Sequence, residues 1–250
     1  MTVLVSEEGL PQEPTFAVAL GPLLLRRGLE GADEVVRVHV PAPAAAFSRR
    51  DTRRPGFPAA AEAARDLGFE PVVRPQGGQL AAYHGGSVVV DHLLRSSESS
   101  IQVGTRFDAF AQLHARALEG LGVDVRIGAV PGEYCPGEFS LNIGGRYKIA
   151  GSAQRVTRDG WLFSTVFQVR DSASLRLLLQ RAYTALEYEF DPHTVGCIED
   201  AEVDVTVELV ARLLVESYGD LELVELPASI VEAGRDDASA YGIDYRPSGQ

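Results

Sequence analysis

The amino-acid sequence predicts an α+β fold, because helical and strand patterns follow one another along the chain without a regular order. Apolar residues at helical spacing mark several helices, and short apolar runs bounded by glycine, proline or polar residues mark the strands. The apolar share of 45% over 250 residues is enough for a sizeable core. A sheet built only of repeated strand–helix–strand units is therefore not expected.

The individual elements follow from these patterns in chain order. Helices are predicted over residues 16–31, 58–67, 105–121 and 172–183, with a last one after residue 204. Strands are predicted over residues 34–40, 69–74, 87–91, 123–127, 139–143, 147–149, 154–156 and 161–169. Glycine and proline in residues 1–14, and the polar composition of residues 234–250, predict loose tails at both ends. We expect residues 1–250 to form a single domain.

The charge and composition of the chain exclude several classes of partner. The formal net charge is −12 and the sequence pI is near 4.9, whereas binding to nucleic-acid phosphates requires a basic surface. No basic amphipathic helix and no apolar run of about 18 residues predicts a membrane contact. The acidic N-terminus lacks the basic and apolar regions of a signal peptide. Two cysteines without metal-ligand spacing predict neither a disulfide framework nor a metal site, so we expect a cytoplasmic protein with reduced thiols.

One stretch concentrates the rare residue types of the chain. Residues 132–155, GEYCPGEFSLNIGGRYKIAGSAQR, hold the only lysine (Lys148), the only asparagine (Asn142) and Cys135. Because arginine is used wherever else a permanent side-chain cation occurs, the remaining lysine indicates a site that needs a compact ammonium. The alternative is a leftover surface lysine, which the residue type alone does not exclude.

The same stretch predicts a β-hairpin with a loop at residues 144–146, where two glycines mark a turn. The register that keeps the apolar residues on one face pairs Ile143 with Tyr147, Leu141 with Ile149, and Asn142 with Lys148. Lys148 and Asn142 are then predicted to point together away from the core, into a cleft or into water. Cys135 lies on the loop before the hairpin, where a reactive thiol can be exposed.

Three segments resemble the biotin/lipoate A/B protein ligase superfamily, in the order in which that family has them. They are FSRRD near residue 48, VVRPQGGQLAAYH over residues 72–84, and the stretch over residues 132–155. The Lys-Ile-Ala-Gly-Ser-Ala run resembles the lysine motif of lipoate ligases and octanoyltransferases. The Tyr-Cys-Pro-Gly segment resembles the cysteine-dependent octanoyl/lipoyl amidotransferase branch. The resemblance implies a catalytic domain with a central mixed β-sheet flanked by helices, in which Arg49 and Arg50 help to hold a polar substrate head.

The chemistry expected at this stretch is nucleophilic. Cys135 is the predicted nucleophile, and Lys148 is the predicted donor to the developing oxyanion. The resemblance implies the following substrate-binding residues: Arg74, Gly77, Gly78, Tyr83, His84, Asn142, Gly151, Ser152 and Ala153. Tyr83 and His84 stand where many relatives have a His-Asp pair, so His84 is either a base for the cysteine or a structural histidine.

The resemblance also supplies the substrates of the expected acyl transfer. They are an octanoyl or lipoyl group and the target lysine of a lipoyl-domain protein. The expected partners are the glycine cleavage H protein, dehydrogenase E2 subunits or acyl carrier protein, and no cofactor is expected for the transfer. One alternative is an ATP- and Mg-dependent lipoate-protein ligase, which forms an acyl-adenylate without a cysteine. An alternative of another class is a non-catalytic protein that binds lipoyl groups.

Overall fold

An eight-stranded mixed β-sheet is the centre of the fold in the computed structural model, which describes residues 1–96 and 103–243. Its strands lie in the spatial order β11 (Glu222–Val224), β1 (Thr2–Val5), β2 (Glu34–His39), β6 (Ser87–Arg95), β10 (Gly160–Gln168), β9 (Tyr147–Thr157), β8 (Leu141–Ile143) and β7 (Val125–Ile127). The first three strands in this order run parallel, and each further neighbour is antiparallel.

A smaller sheet and several helices surround the large sheet. The smaller sheet has the order β4 (Glu70–Val73), β3 (Ala44–Phe47) and β5 (Ala81–Tyr83). The helices are α1 (Pro14–Arg27), α2 (Phe57–Asp66), α3 (Val103–Leu118), α4 (Ser172–Ala185), α5 (Val207–Glu216) and α6 (Ala228–Ala238). None of the helices formed by the described residues has the length and apolarity needed to cross a membrane.

Different helices cover the two faces of the large sheet. Helices α3 and α5 pack on one face, against a cluster that includes Val88, Val90 and Phe167. Helix α1 packs on the other face, where its leucines meet Leu93 and Leu162, and α6 packs against α1. Helices α2 and α4 belong to a third cluster with the small sheet. The site described below lies on the α1 face, between the large sheet and the small one.

The predicted α+β class, with a central mixed sheet flanked by helices, is confirmed, but the two ends of the chain differ from the prediction. Residues 2–5 are not loose, because β1 pairs with β2 and β11 and buries Val3 and Val5. Residues 234–238 belong to α6, which packs on α1, and residues 244–250 lie outside the described residues. The prediction failed at residues 2–5 because a strand of four residues gives only a weak pattern, and its pairing partners lie more than 25 residues away in the chain.

The hairpin register is confirmed at the loop and differs one step further along. Ile143 pairs with Tyr147, and Asn142 pairs with Lys148, as predicted. Leu141 pairs with Ala150 and not with Ile149, because a β-bulge shifts the register at this point. A bulge redirects the side chains next to it, and here the strand residue beside the bulge is the single lysine.

Candidate active site

A cavity of about 370 Å³ lies between the large sheet, helix α1 and two loops. Its floor comes from β6, β9 and β10, and α1 contributes Ala17, Val18 and Gly21 to one wall. The loop that carries the Gly-Gly pair and the loop that carries Cys135 form the other side. Much of the lining is apolar, so the cavity is suited to a chain-like ligand.

Cys135 lies in this cavity in a conformation that few side chains adopt. Its φ is 41°, in the left-handed region that non-glycine residues rarely occupy. The Sγ atom accepts a hydrogen bond from the backbone amide of Gln79 at 3.2 Å. The structure thus brings together the predicted nucleophile and the predicted substrate loop.

Gly78 is required for this contact between the two loops. Its φ is +95°, and a Cβ at this position would lie 3.0 Å from both Cys135 Sγ and Arg74 Nη2. The same geometry places the Arg74 guanidinium within about 6 Å of the sulfur. Gly77, in contrast, has no atom within 4 Å of an added Cβ and does not line the cavity.

Glu133 organises the Cys135 loop, and sequence reasoning missed it. Its buried carboxylate accepts hydrogen bonds from the Val130 amide at 2.9 Å, the Gly137 amide at 3.0 Å and the Ser140 hydroxyl at 2.6 Å. It also forms an ion pair with the Lys148 ammonium at 3.1 Å. One glutamate among the many acidic residues of an acidic chain gives no sequence signal of this kind. The one signal in the sequence was the single lysine, because a lysine that is buried requires a partner of opposite charge.

Lys148 is buried, with 2% of its surface exposed, whereas the sequence predicted a side chain in a cleft or in water. It lines the cavity, but its three donors are all engaged by the protein. The acceptors are Glu133 Oε1 at 3.1 Å, the Tyr134 carbonyl at 3.1 Å and the Cys135 carbonyl at 2.8 Å. The bulge and the Glu133 carboxylate explain the difference, because together they turn the ammonium toward the Cys135 loop.

Several of the other predicted residues also line the cavity. Arg74 does so, and its Nη2 donates to the Gln79 carbonyl at 2.7 Å, while its Nε is buried without a hydrogen-bond partner among the described residues. Tyr83 lines the cavity, and burial raises the pKa of its hydroxyl to about 12. Gly151 and Ser152 line it as well, although the Ser152 hydroxyl is 2.9 Å from the Thr165 hydroxyl.

His84 and Asn142 are placed elsewhere. The Nδ1 atom of His84 accepts from the Gly86 amide at 2.6 Å, so its proton lies on Nε2, which is 3.2 Å from the Asp171 carbonyl. Neither ring nitrogen is left for Cys135. Asn142 donates to the Gly128 carbonyl at 2.9 Å and accepts from the Gly145 amide at 2.8 Å, so it stabilises the hairpin loop.

Three further residues named from the sequence do not line the cavity. Ala153 lies beyond Ser152 on β9, and Arg49 and Arg50 are exposed on the loop after β3. The sequence signal for all three was their place in a motif, which does not report the direction of the side chain. The structure therefore separates the cavity residues from neighbours in the same motifs.

No cluster of three or more His, Cys, Asp or Glu side chains suited to a metal ion occurs within residues 1–96 and 103–243. The chemistry that the described side chains can perform is centred on the thiol. Three polar groups line the largely apolar cavity together. They are the Cys135 sulfur with its amide donor, the buried Lys148 ammonium, and the Arg74 guanidinium, whose Nε has no hydrogen-bond partner among the described residues.

The fold and the cavity define a domain with a largely apolar cavity beside a cysteine and a buried lysine. The chain belongs to the family of the lipoyl protein ligase A/B catalytic domain, which matches residues 13–219.

Two curated relatives indicate which branch of the family is similar. The chain is 30% identical over 159 residues to the octanoyl-GcvH:protein N-octanoyltransferase of Geobacillus kaustophilus, and the match covers 64% of this chain and 56% of that relative. It is 30% identical over 203 residues to the protein of the same name from Exiguobacterium sp., covering 77% of this chain and 71% of that relative. The match to the first relative thus spans little more than half of its length.

Solved structures share the fold. A bi-partite lipoate protein ligase from Thermoplasma acidophilum, studied with its E2 lipoyl domain, has a TM-score of 0.70 at 17% identity, over 95% of this chain and 91% of that chain. A lipoate-protein ligase A bound with ATP has a TM-score of 0.73 at 16% identity, over 95% of this chain and 93% of that chain. At such identities the likeness shows the fold alone.

Proposed function

We propose that this chain is an acyltransferase that carries an octanoyl or lipoyl group as a thioester on Cys135. It delivers the group to the target lysine of a lipoyl-domain protein. The observation that supports this most directly is the Cys135 sulfur at the end of an apolar cavity, with the Gln79 amide donating to it. The names of the curated relatives support the same reaction class.

The proposed reaction has two steps, which move the acyl group first to Cys135 and then to the acceptor lysine. In the first, the thiolate attacks the acyl carbonyl of a donor amide, and the bond between that carbon and the donor nitrogen breaks as the nitrogen takes up a proton. In the second, the acceptor lysine attacks the thioester, loses a proton, and leaves the thiolate free. One amide is broken and one is formed, so transfer needs no nucleotide and no other cofactor.

The polar groups around the sulfur have separable roles in this proposal. The Gln79 amide donates to the Cys135 sulfur, and the Lys148 ammonium donates to the Cys135 carbonyl, so the two groups fix the position of the nucleophile in the cavity. A contact from Lys148 to the oxyanion requires it to release one of its three present acceptors. Arg74 lines the same cavity, and its Nε is a donor with no hydrogen-bond partner among the residues that the structure describes, so we assign to this side chain the first contact with the acyl oxygen.

The proposed partners follow from the relatives and from the resemblance. The relatives are named for transfer from octanoyl-GcvH, and the Thermoplasma acidophilum structure is described with an E2 lipoyl domain. We propose a glycine cleavage H protein or an E2 subunit as acceptor, with an acylated H protein as donor of the amide-bound group. With acyl carrier protein as donor, the bond broken in the first step is a thioester, and its thiol takes up the proton. The proposed compartment is the cytoplasm, where the two free cysteines stay reduced. Residues 1–250 are proposed to act as one catalytic domain.

The runner-up is an ATP-dependent lipoate-protein ligase, because the solved structures that share the fold are ligases. A ligase forms an acyl-adenylate, so it does not need the strained Cys135 or its contact with Gln79. A non-catalytic binding protein would likewise keep the cavity without any need for that geometry. Both alternatives therefore leave the conformation of Cys135 unexplained.

The test compares two reactions with the same apo lipoyl domain as acceptor. One contains octanoylated H protein without nucleotide, and the other contains free octanoate, ATP and Mg. We expect octanoylation of the acceptor, detected by intact mass, in the first reaction alone. Acylation only in the second would favour the ligase, and binding without any acylation would favour the non-catalytic protein.

A further inference from the structure

The cavity wall contains a group of polar side chains besides those next to Cys135. Gln76, Asp91 and Ser164 all line the cavity. The Gln76 amide donates to the Ser164 hydroxyl at 2.6 Å, and that hydroxyl donates in turn to the Asp91 carboxylate. We refer to these three residues as the polar trio. A cavity meant only for a hydrocarbon chain has no need of a buried carboxylate in its wall.

Ser164 of the polar trio lies further along β10 than Val166, the strand partner of Gly151. Lys148, which contacts the Cys135 carbonyl, packs its side chain against Gly151. Gly151 pairs with Val166 of β10, and Ser164 follows two residues along that strand, which is roughly 6.6 Å away. Ser164 is therefore further than Val166 from the part of β9 that contacts the Lys148 side chain.

The carboxylate of Asp91 has unused hydrogen-bonding capacity. The hydroxyl of Ser164 is its hydrogen-bond donor, and the nearest cation, Arg37 Nη1, is 3.8 Å away. Arg37 is committed to other groups, because it binds both oxygens of Glu7 at 2.6 and 2.9 Å and the Ala17 carbonyl at 3.0 Å. Burial raises the pKa of Asp91 above its ordinary value, although the charge of Arg37 and the hydrogen bond from Ser164 act in the opposite direction.

Two further polar groups on the cavity wall have spare capacity. His39 is 8% exposed and lines the cavity, and its Nδ1 has no hydrogen-bond partner within the part of the chain that the structure describes. Burial and the charge of Arg37 lower the pKa of His39 well below its ordinary value, so the ring is neutral. Val18 lines the cavity from helix α1, and Pro22 lacks the amide that in a regular helix donates to the carbonyl four residues earlier. Leaving such groups unpaired is costly, and a ligand with matching polar atoms removes that cost.

We infer that the polar trio is a subsite for a hydrogen-bond donor on the distal half of the acyl chain. The ligand class is a medium-length acyl group with a hydroxyl or thiol near its far end, in preference to a plain alkanoyl group. A reduced dithiol chain of the lipoyl type belongs to this class. The inference deepens the proposed acyl transfer, on which it rests, by naming the kind of chain that the cavity selects.

The test measures binding of free acids to the wild-type protein, so it does not depend on acyl transfer. Octanoic acid and ω-hydroxyoctanoic acid are compared by isothermal titration calorimetry, and dihydrolipoic acid is measured under reducing conditions. We expect both polar acids to bind about tenfold more tightly than octanoic acid, because a tenfold ratio corresponds to one net hydrogen bond. Equal binding of octanoic and ω-hydroxyoctanoic acid would overturn the inference, whatever the outcome of the transfer assay.

Two variants locate the preference within the cavity. Asp91→Leu should abolish the preference for the polar acids, and Gln76→Leu, on a loop outside the large sheet, should reduce it even if Asp91→Leu fails to fold. Val166→Ala is the matched control in the apolar part of the cavity, and it should weaken all three acids with their ratio unchanged. A preference that survives Gln76→Leu and is altered by Val166→Ala would place the selection outside the polar trio and overturn the inference.

Discussion

Cys135 and Cys197 are the two cysteines of the chain, and their surroundings differ in the properties that govern thiol chemistry. Cys135 is partly exposed to the cavity, has a left-handed φ and receives a hydrogen bond from the Gln79 amide. Cys197 is fully buried, and burial, reinforced by the charge of Asp200, raises the pKa of its thiol to about 11. Residue type alone therefore does not tell a reactive cysteine from a structural one, because loop geometry and solvation decide which sulfur can react.

The largest expected effect is the contrast between alanine variants of the two cysteines. Cys135→Ala should lower the rate of acyl transfer by at least roughly a thousandfold, because the nucleophile is removed. Cys197→Ala should change that rate by less than about threefold, since its sulfur lies in the core and not in the cavity. Transfer rates, with circular dichroism to confirm folding, check both. Equal losses in the two variants would erase the distinction between the cysteines.

The next effect concerns the carboxylate that holds the Cys135 loop. Glu133→Gln leaves the Lys148 ammonium buried without its anion, so we expect a loss of about 3–5 kcal/mol in the free energy of unfolding. We also expect at least a tenfold fall in transfer rate, because the loop loses its charged acceptor. Urea unfolding and transfer assays measure the two quantities.

A double variant separates the effect of the unpaired Lys148 ammonium on stability from its effect on the transfer rate. Glu133→Gln combined with Lys148→Met removes the unpaired ammonium, and it should be more stable than Glu133→Gln alone. Its transfer rate should stay at least about tenfold below that of wild type, because the cation beside the Cys135 loop is gone. An active double variant would show that the ion pair serves the fold only.

A smaller effect comes from the glycine pair that faces Cys135. Gly78→Ala places a Cβ 3.0 Å from the Cys135 sulfur and imposes a strained φ, so we expect a loss of roughly tenfold to a hundredfold in transfer rate. The strain should also cost about 1–2 kcal/mol of stability. Gly77→Ala is the matched control, with open space around its added Cβ, and should stay within about twofold of wild type. Indistinguishable rates for the two variants would mean that the contact between the loops is not used.

The smallest expected effect is a pH dependence of stability from Cys197. Its pKa in the folded protein, about 11, lies above the ordinary value of 9.0. The folded state therefore favours the neutral thiol, and the stabilisation is complete below pH 9 and is lost as the pH rises through 11. Between pH 8 and pH 10.5, wild type should lose up to roughly 2 kcal/mol more than Cys197→Ala in urea unfolding. Parallel losses in both proteins would show that this thiol titrates normally.

The fold class and the two predicted catalytic residues, Cys135 and Lys148, could be found from the sequence because both leave local signals. Periodicity reports strands and helices, and the motifs around Cys135 and Lys148 lie within a short stretch. Sequence reasoning missed Glu133 and the burial of Lys148, because these depend on a β-bulge and on a loop that folds back on the strand. The sequence did not decide whether His84 is a base or a structural histidine. Its contact with the Asp171 carbonyl joins residues far apart in the chain, and its bond from the Gly86 amide depends on the local backbone conformation, so residue spacing does not reveal either one.

The central claim is that the acyl group travels on Cys135. The most direct measurement is peptide mapping by mass spectrometry after the protein is incubated with an octanoyl thioester and quenched in acid. We expect one octanoyl adduct per chain on the peptide that contains Cys135, and no adduct in Cys135→Ala. An adduct on Cys197, or transfer to a lipoyl domain at the wild-type rate by Cys135→Ala, would contradict it.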